Sequence, residues 1–294
     1  MKKNSKLKTQ SLKLNTIILF IFALLLTLYF LLFTLFRFSG WNGRDAMNVV
    51  VSSGDQVWFL VLRPEEKKFV EISIPGNTIV AVGNGKWQAG SLKRLSRLEK
   101  SVDPLKSIGW ELLEAPVDSV VEIADYRGEN TGYFSQLKLL KKALDPGSFS
   151  ETIKVVRFIK NLNENQFLKI NIGDAPAARI VADPAGTELL EIETEALSLQ
   201  FSEWFRIESL RREGLTVAVV NVSGKTNAGG KLARQLEHVG IRVVSVSTGQ
   251  GDPGFRIKSK DSFKSETVSK LSSWLKMKPS IENFDARADI LISK

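Results

Sequence analysis

The sequence contains no cysteine, one histidine, three methionines and three tyrosines among 294 residues. Without cysteine there is no disulfide, no thiolate nucleophile and no sulfur-ligated metal. His238 is the lone histidine, so a structural zinc site is excluded, because such sites draw their ligands from cysteine and histidine. No Ser–His–acid arrangement can be argued either, since nothing places a hydroxyl near His238. Charge is plentiful but uneven. Lys2, Lys3, Lys6, Lys8, Lys13 and Arg37 are the charged residues of 1–38, so they carry six of the nine net positive charges and leave three for the rest. The basic balance therefore belongs mainly to the N-terminus and is a poor argument for nucleic acid as a partner.

One hydrophobic run is long. Ile17 to Phe36 is uncharged and mostly large and apolar. About 20 such residues at 1.5 Å each span a ~30 Å hydrocarbon core. A cleaved signal peptide would carry an apolar stretch of roughly 7–15 residues ending in small side chains. This run is longer and ends in FRFSGWNG, which favours a retained anchor. The lysines before it put residues 1–16 in the cytoplasm and everything after the span 17–38 outside.

Beyond the span, strands are expected at Met47–Val51, Val57–Leu62 and Phe69–Ile74, the last two joined by the charged turn RPEEKK. The stretch from Pro75 to Gly90 reads as a glycine-rich loop carrying Lys86 and Trp87, with Trp87 read mainly as a core plug. Helices follow at Ser91–Lys100 and Pro104–Leu113, then a strand at Val117–Ile123 and helices at Phe134–Ala143 and Thr152–Asn161. Short strands at Phe167–Ile172 and Ala178–Val181 precede a helix over Glu193–Phe205. The charged residues 206–214 read as a linker. Strands alternating with helices give an α/β fold class. The expected order is one N-terminal transmembrane helix, an α/β domain over 45–205, and a second α/β domain over 215–294. Basic stretches at 92–100 and 137–144 read as wet helix faces.

The second domain opens with Thr216–Val222, apolar enough for a buried parallel strand. A helix follows with Leu232, Leu236 and Val239 on one stripe, Asn227 as its N-cap and Gly240 just past its end. Ile241–Ser247 returns as a parallel strand. A half-exposed strand at Phe255–Ile257, a helix lined by Val268, Leu271 and Leu275, and a closing strand at Ala288–Ile292 complete the module. The loop Ser223-Gly224-Lys225-Thr226 lies between strand and helix, where free backbone N–H groups favour an anion. It is no nucleotide loop: that motif needs a glycine five residues before Gly224, where Val219 stands.

The segment VAVVNVSGKTNAGGKLARQLEHVGIRVVSV, with ARADILIS after it, resembles the C-terminal domain of the LytR cell-envelope attenuator family over 215–294. That domain has no established chemistry, so the resemblance implies an envelope protein rather than a reaction. Upstream, VWFLVLRPEEKKFVEISIPGNTIVAV and SIGWELLEAPVDSVVEIADYRGENTGYFSQL resemble a degenerate LytR–CpsA–Psr domain. Such enzymes transfer glycan chains from polyprenyl-pyrophosphate carriers to wall polymers, with arginines on the pyrophosphate and acidic residues on Mg²⁺. This chain departs from their pattern. Gly76-Asn77 stands where the family has Arg-Asp, although Thr78 matches. Asp55 matches a family aspartate, but Ser52-Ser53-Gly54 lacks its acidic companion. Of the arginine-rich stretch, PGSFSETIKVVRFIK keeps Arg157 alone. Arginine grips pyrophosphate through paired charge-assisted bonds, so its loss removes transition-state stabilisation.

The first expectation is therefore a membrane-anchored extracytoplasmic envelope protein without catalysis or cofactor. It would bind a wall polymer, a lipid-linked precursor or an envelope partner through Lys86, Trp87, Ser223, Gly224, Lys225 and Thr226. The alternative is a divergent Mg²⁺-dependent phosphotransferase, which requires Asp55, Lys86, Lys93, Arg94 and Arg157 to converge in one cleft.

Overall fold

The computed structural model describes residue 43 and residues 46–123, 157–259, 261–284 and 287–294. The hydrophobic run at 17–38 and the helix expected at Phe134–Ala143 lie outside the described residues. Among the described residues no helix is long and apolar enough to cross a membrane.

The first sheet has five strands: β1 (Met47–Ser53), β2 (Gln56–Arg63), β3 (Lys68–Ile74), β6 (Ser119–Ile123) and β7 (Phe167–Asn171), in the order β6-β1-β2-β3-β7. The hairpins β1–β2 and β2–β3 are antiparallel, while β6 and β7 flank them in parallel. The unbroken apolar run of β2 follows from burial on both faces. One face packs Val50, Phe59, Val61 and Ile72 beneath helices α1 (Leu92–Glu99), α2 (Asp103–Ser107) and α3 (Thr194–Phe205). There the Phe59 and Phe205 rings meet edge to face at 5.7 Å. The opposite face packs Met47, Val49, Val51, Trp58 and Leu60 against Ile159 and Leu162. Of the helix expected over Thr152–Asn161, residues 157–161 are described, and 157–160 are helical.

Pro75–Gly90 is more ordered than a loop. Strands β4 (Ile79–Val82) and β5 (Gly85–Gln88) form a hairpin closed by Gly83-Asn84, with Gly83 at φ +60 as a tight two-residue turn requires. Trp87 is 42% exposed, with its indole over Gly85, so it plugs no core. A further hairpin, β8 (Ala178–Ala182) with β9 (Glu188–Ile192), lies beside it. After α2 the chain winds into a π-helical turn, Ile108–Leu113, which ends at Glu114 in the left-handed region at φ +49.

The charged stretch 206–214, read as a linker, contains helix α4 (Glu208–Glu213). Ile207 and Leu210 are buried in the second core, which anchors an otherwise polar segment. The second sheet has the order β11-β10-β14-β12-β13, with β10 (Thr216–Asn221), β11 (Arg242–Thr248), β12 (Gly254–Ile257), β13 (Ser280–Ile281) and β14 (Ile290–Ser293). β10 pairs in parallel with both β11 and β14, so β14 is an internal strand rather than the closing one, and every residue of it is buried. Helices α5 (Ala228–His238) and α6 (Glu266–Leu275) cover one face through Leu232, Leu236, Val268 and Leu271. Gly240, at φ +94, ends α5: its N–H reaches the Glu237 carbonyl and the Ile241 N–H the Leu236 carbonyl, both at 3.0 Å. Asn227 does not cap the start of α5. It sits in the left-handed region at φ 62 with no side-chain cap bond.

Candidate anion-binding cleft between the domains

The two surfaces singled out from sequence lie across one cleft from each other. The loop after β10 contributes Ser223, Lys225 and Thr226 to a cleft of about 770 Å³ whose far side is Ala81, Gly83, Asp103, Lys106, Trp110 and Glu111. The β4–β5 hairpin stands at its rim, where Lys225 Nζ reaches Asn84 Oδ1 at 3.5 Å. Trp87 lines an adjoining hollow that shares Gly83, Asp103 and Ser107 with the cleft.

The loop is shaped from within. Asn221 Oδ1 accepts from the Ser223 N–H at 3.1 Å and from Ser223 Oγ at 2.7 Å, while Asn221 Nδ2 donates to the Lys225 carbonyl at 2.8 Å. Lys225 N–H donates to Ser223 Oγ. Two loop amides are thus committed locally, and the loop's contribution to the cleft rests chiefly on the Lys225 ammonium.

Cations dominate the lining. Lys106, Lys225, Lys231, Arg234, Lys276 and Lys294 face Asp103 and Glu111 as the lining carboxylates. Lys231 pairs with Glu111 at 2.5 Å, and Lys276 pairs with Asp103, which holds the Asp103 carboxyl below its ordinary pKa. Arg234 grips Glu114 with two bonds, Nη2–Oε1 at 3.0 Å and Nε–Oε2 at 3.3 Å, and this hydrogen bonding raises the guanidinium's pKa. Lys106, Lys225 and Lys294 form no salt bridge with a described carboxylate. Lys294 Nζ lies 5.9 Å from the Trp110 ring centroid. Although the residue keeps exposed surface, desolvation of its ammonium lowers the pKa, with Glu111 pulling it partly back. A partly desolvated cation with no close ion pair is stabilised by an arriving anion.

The remaining sequence candidates are dispersed. Lys86 is exposed and pairs with Glu191 at 3.4 Å. Asp55 is exposed on the β1–β2 turn, its carbonyl oxygen against Gly76 and Gly90. Lys93 and Arg94 ride on α1, on one face of the first sheet, while Arg157 belongs to the segment whose Ile159 packs on the opposite face. The position that the sequence resemblance sets against an arginine is closed: a Cβ at Gly76 would stand 2.2 Å from the Asp55 carbonyl oxygen. Asn77, in place of the family aspartate, donates to the Glu188 carbonyl at 3.1 Å and accepts the Leu190 N–H on its own carbonyl. Thr78 is fully buried. Among the described residues no three acidic or histidine side chains are grouped to hold a metal ion.

Sequence reasoning missed Lys106, Trp110, Glu111, Lys231, Arg234, Lys276 and Lys294 as cleft residues. One signal was available: Lys231, Arg234 and Gln235 sit three and four residues apart, on one face of the helix that follows the anion-prone loop.

No family model and no curated relative matches the chain. Solved structures share part of its shape. One is the transcriptional regulator yvhJ from Bacillus subtilis, 11% identical, at a TM-score of 0.40 over 55% of this chain and 98% of that one. B. subtilis TagV is 10% identical, with a TM-score of 0.38 over 55% and 98%. The LytR-CPS2A-psr family protein YwtF (TagT), solved with bound octaprenyl pyrophosphate lipid, is 15% identical, with a TM-score of 0.39 over 57% and 94%. At these TM-scores nothing functional is carried over from these three proteins.

Proposed function

We propose that the chain is a membrane-anchored, extracytoplasmic envelope protein that binds an anionic wall polymer or its lipid-linked precursor in the interdomain cleft, without transforming it. The observation that carries the reading is that Lys106, Lys225 and Lys294 line one 770 Å³ cleft and form no salt bridge with a described carboxylate. The indole of Trp110 beside Lys294 offers an apolar platform for a sugar or chain carbon next to the charged group. Support for binding rather than catalysis comes from Gly76, where no side chain fits, and from the dispersal of Asp55, Lys86, Lys93, Arg94 and Arg157. The envelope setting and the anchor rest on the sequence resemblance and on the run at 17–38.

The test is binding of the full chain in detergent micelles to anionic wall polymer and to polyprenyl-linked precursor across a salt series. Affinity is expected to fall as salt rises, because exposed charge pairs are screened. Lys225→Ala with Lys294→Ala is expected to weaken binding about tenfold, at roughly 0.5–1 kcal/mol per cation. Mg²⁺-dependent transfer of polymer from the carrier would overturn the non-catalytic reading, and absence of binding would overturn the cleft.

A further inference from the structure

The interface between the domains is sorted by charge. Asp103, Glu111, Glu114 and Asp118 stand on the first domain, and each pairs with a cation of the second: Lys276, Lys231, Arg234 and Lys270 respectively. The four pairs differ in depth. The Glu114 and Asp118 side chains are 2% and 17% exposed, whereas those of Glu111 and Asp103 are 37% and 53% exposed and line the cleft. Half-exposed pairs exchange partners at little cost, while breaking a buried pair leaves a desolvated charge behind.

We propose that Glu111 and Asp103 are internal competitors, occupying Lys231 and Lys276 until a multivalent anion displaces them. This rests on the reading of the cleft as an anion site. Lys106, Lys225 and Lys294 receive the first charges of the ligand, and a longer anion then takes Lys231 and Lys276 from their carboxylates. The deeper pairs, Arg234–Glu114 and Lys270–Asp118, keep the domains in register during the exchange. The competitors lower affinity and so favour release, as a protein that hands its ligand on requires. They act most strongly on anions long enough to reach Lys231 and Lys276, while a small anion is served by the three unpaired lysines.

The experiment measures binding of inorganic triphosphate and of orthophosphate to the full chain in detergent by calorimetric titration. Wild type is compared with Asp103→Asn plus Glu111→Gln, with Lys231→Ala, and with Glu99→Gln. Glu99 lines the adjoining hollow without a described ion pair, so it reports the general effect of removing a nearby negative charge. The double variant is expected to bind triphosphate about four- to twenty-five-fold tighter, at roughly two- to fivefold for each half-exposed pair released. Orthophosphate should gain less, Glu99→Gln should change neither, and Lys231→Ala should weaken triphosphate. If wild type binds triphosphate and the double variant binds it no more tightly than Glu99→Gln does, the competitors are merely structural and the proposal fails. If wild type binds neither probe, the reading of the cleft itself is what has failed.

Discussion

Gly76 and Glu114 show how single positions commit this chain. At Gly76 a Cβ would meet the Asp55 carbonyl oxygen at 2.2 Å, a backbone atom that cannot swing away. Gly76→Ala is therefore expected to destabilise by about 1–3 kcal/mol through a forced backbone shift, and Gly76→Arg by more. A urea midpoint for Gly76→Ala equal to wild type would show the position to be open and would return the family arginine to consideration. Glu114 is 1% exposed and takes both its bonds from Arg234. Arg234→Ala strands that carboxylate, at an expected cost of about 2–3 kcal/mol, below the roughly 3–5 kcal/mol of a fully buried pair because Arg234 itself keeps some exposure. Glu114→Gln in the Arg234→Ala background should recover part of the loss. No recovery would mean that Arg234 acts through packing alone. Neither closure nor pairing is visible in sequence, because both depend on which distant segment the fold brings alongside.

At the scale of elements, the sequence spoke clearly where one face of a strand or helix is apolar. α3, α5 and α6 lie close to where their periodicity puts them, because burial on a fixed face is what that periodicity encodes, and β2 lies where an unbroken apolar run marks a strand buried on both faces. It was silent for α4, whose only apolar contacts, Ile207 and Leu210, are too few to mark a stripe among Glu and Arg. It misled at Asn227, since a cap needs extended backbone dihedrals that the left-handed geometry there denies. The placement of β14 between β10 and β12 was likewise illegible, and part of what fixes it is a clip. Asp289 Oδ2 accepts from the Thr216 N–H at 2.8 Å and from Thr216 Oγ1 at 2.7 Å, which holds the Asp289 carboxyl below the ordinary aspartate range. A carboxylate with a depressed folded-state pKa stabilises above its unfolded value and loses that contribution as pH falls through the folded one. Asp289→Asn should thus be less stable than wild type at neutral pH, with the gap narrowing below about pH 4. Denaturation midpoints from pH 7 to pH 2 check this, and a gap independent of pH would assign the effect to shape rather than charge.

The whole molecule is held at its middle by ions rather than by a continuous apolar seam. Two cores form separately, with Ala46 and Trp110 as the first domain's contributions to the second core. That division explains why the loop Ser223–Thr226 was legible as anion-prone while the cleft was not: the loop is local, but its opposing wall comes from the π-helical turn more than a hundred residues earlier. It also identifies the joint most sensitive to mutation. Asp118 joins three segments, accepting the Asn48 N–H at 2.9 Å and Trp274 Nε1 at 3.1 Å, with Lys270 Nζ at 3.5 Å. Asp118→Ala removes all three contacts at once and leaves the indole N–H of a largely buried tryptophan unpaired. If the ionic joint couples the domains, wild type should melt in one transition by scanning calorimetry. Asp118→Ala should then split it, with the second domain unfolding first. Adding salt to wild type should move it the same way, but less, because screening reaches the exposed pairs of the joint and leaves the Arg234–Glu114 pair largely intact. A single unshifted transition in Asp118→Ala would place the coupling in the Ala46 and Trp110 contacts instead, and would remove the ionic joint as the element that sets the width of the cleft.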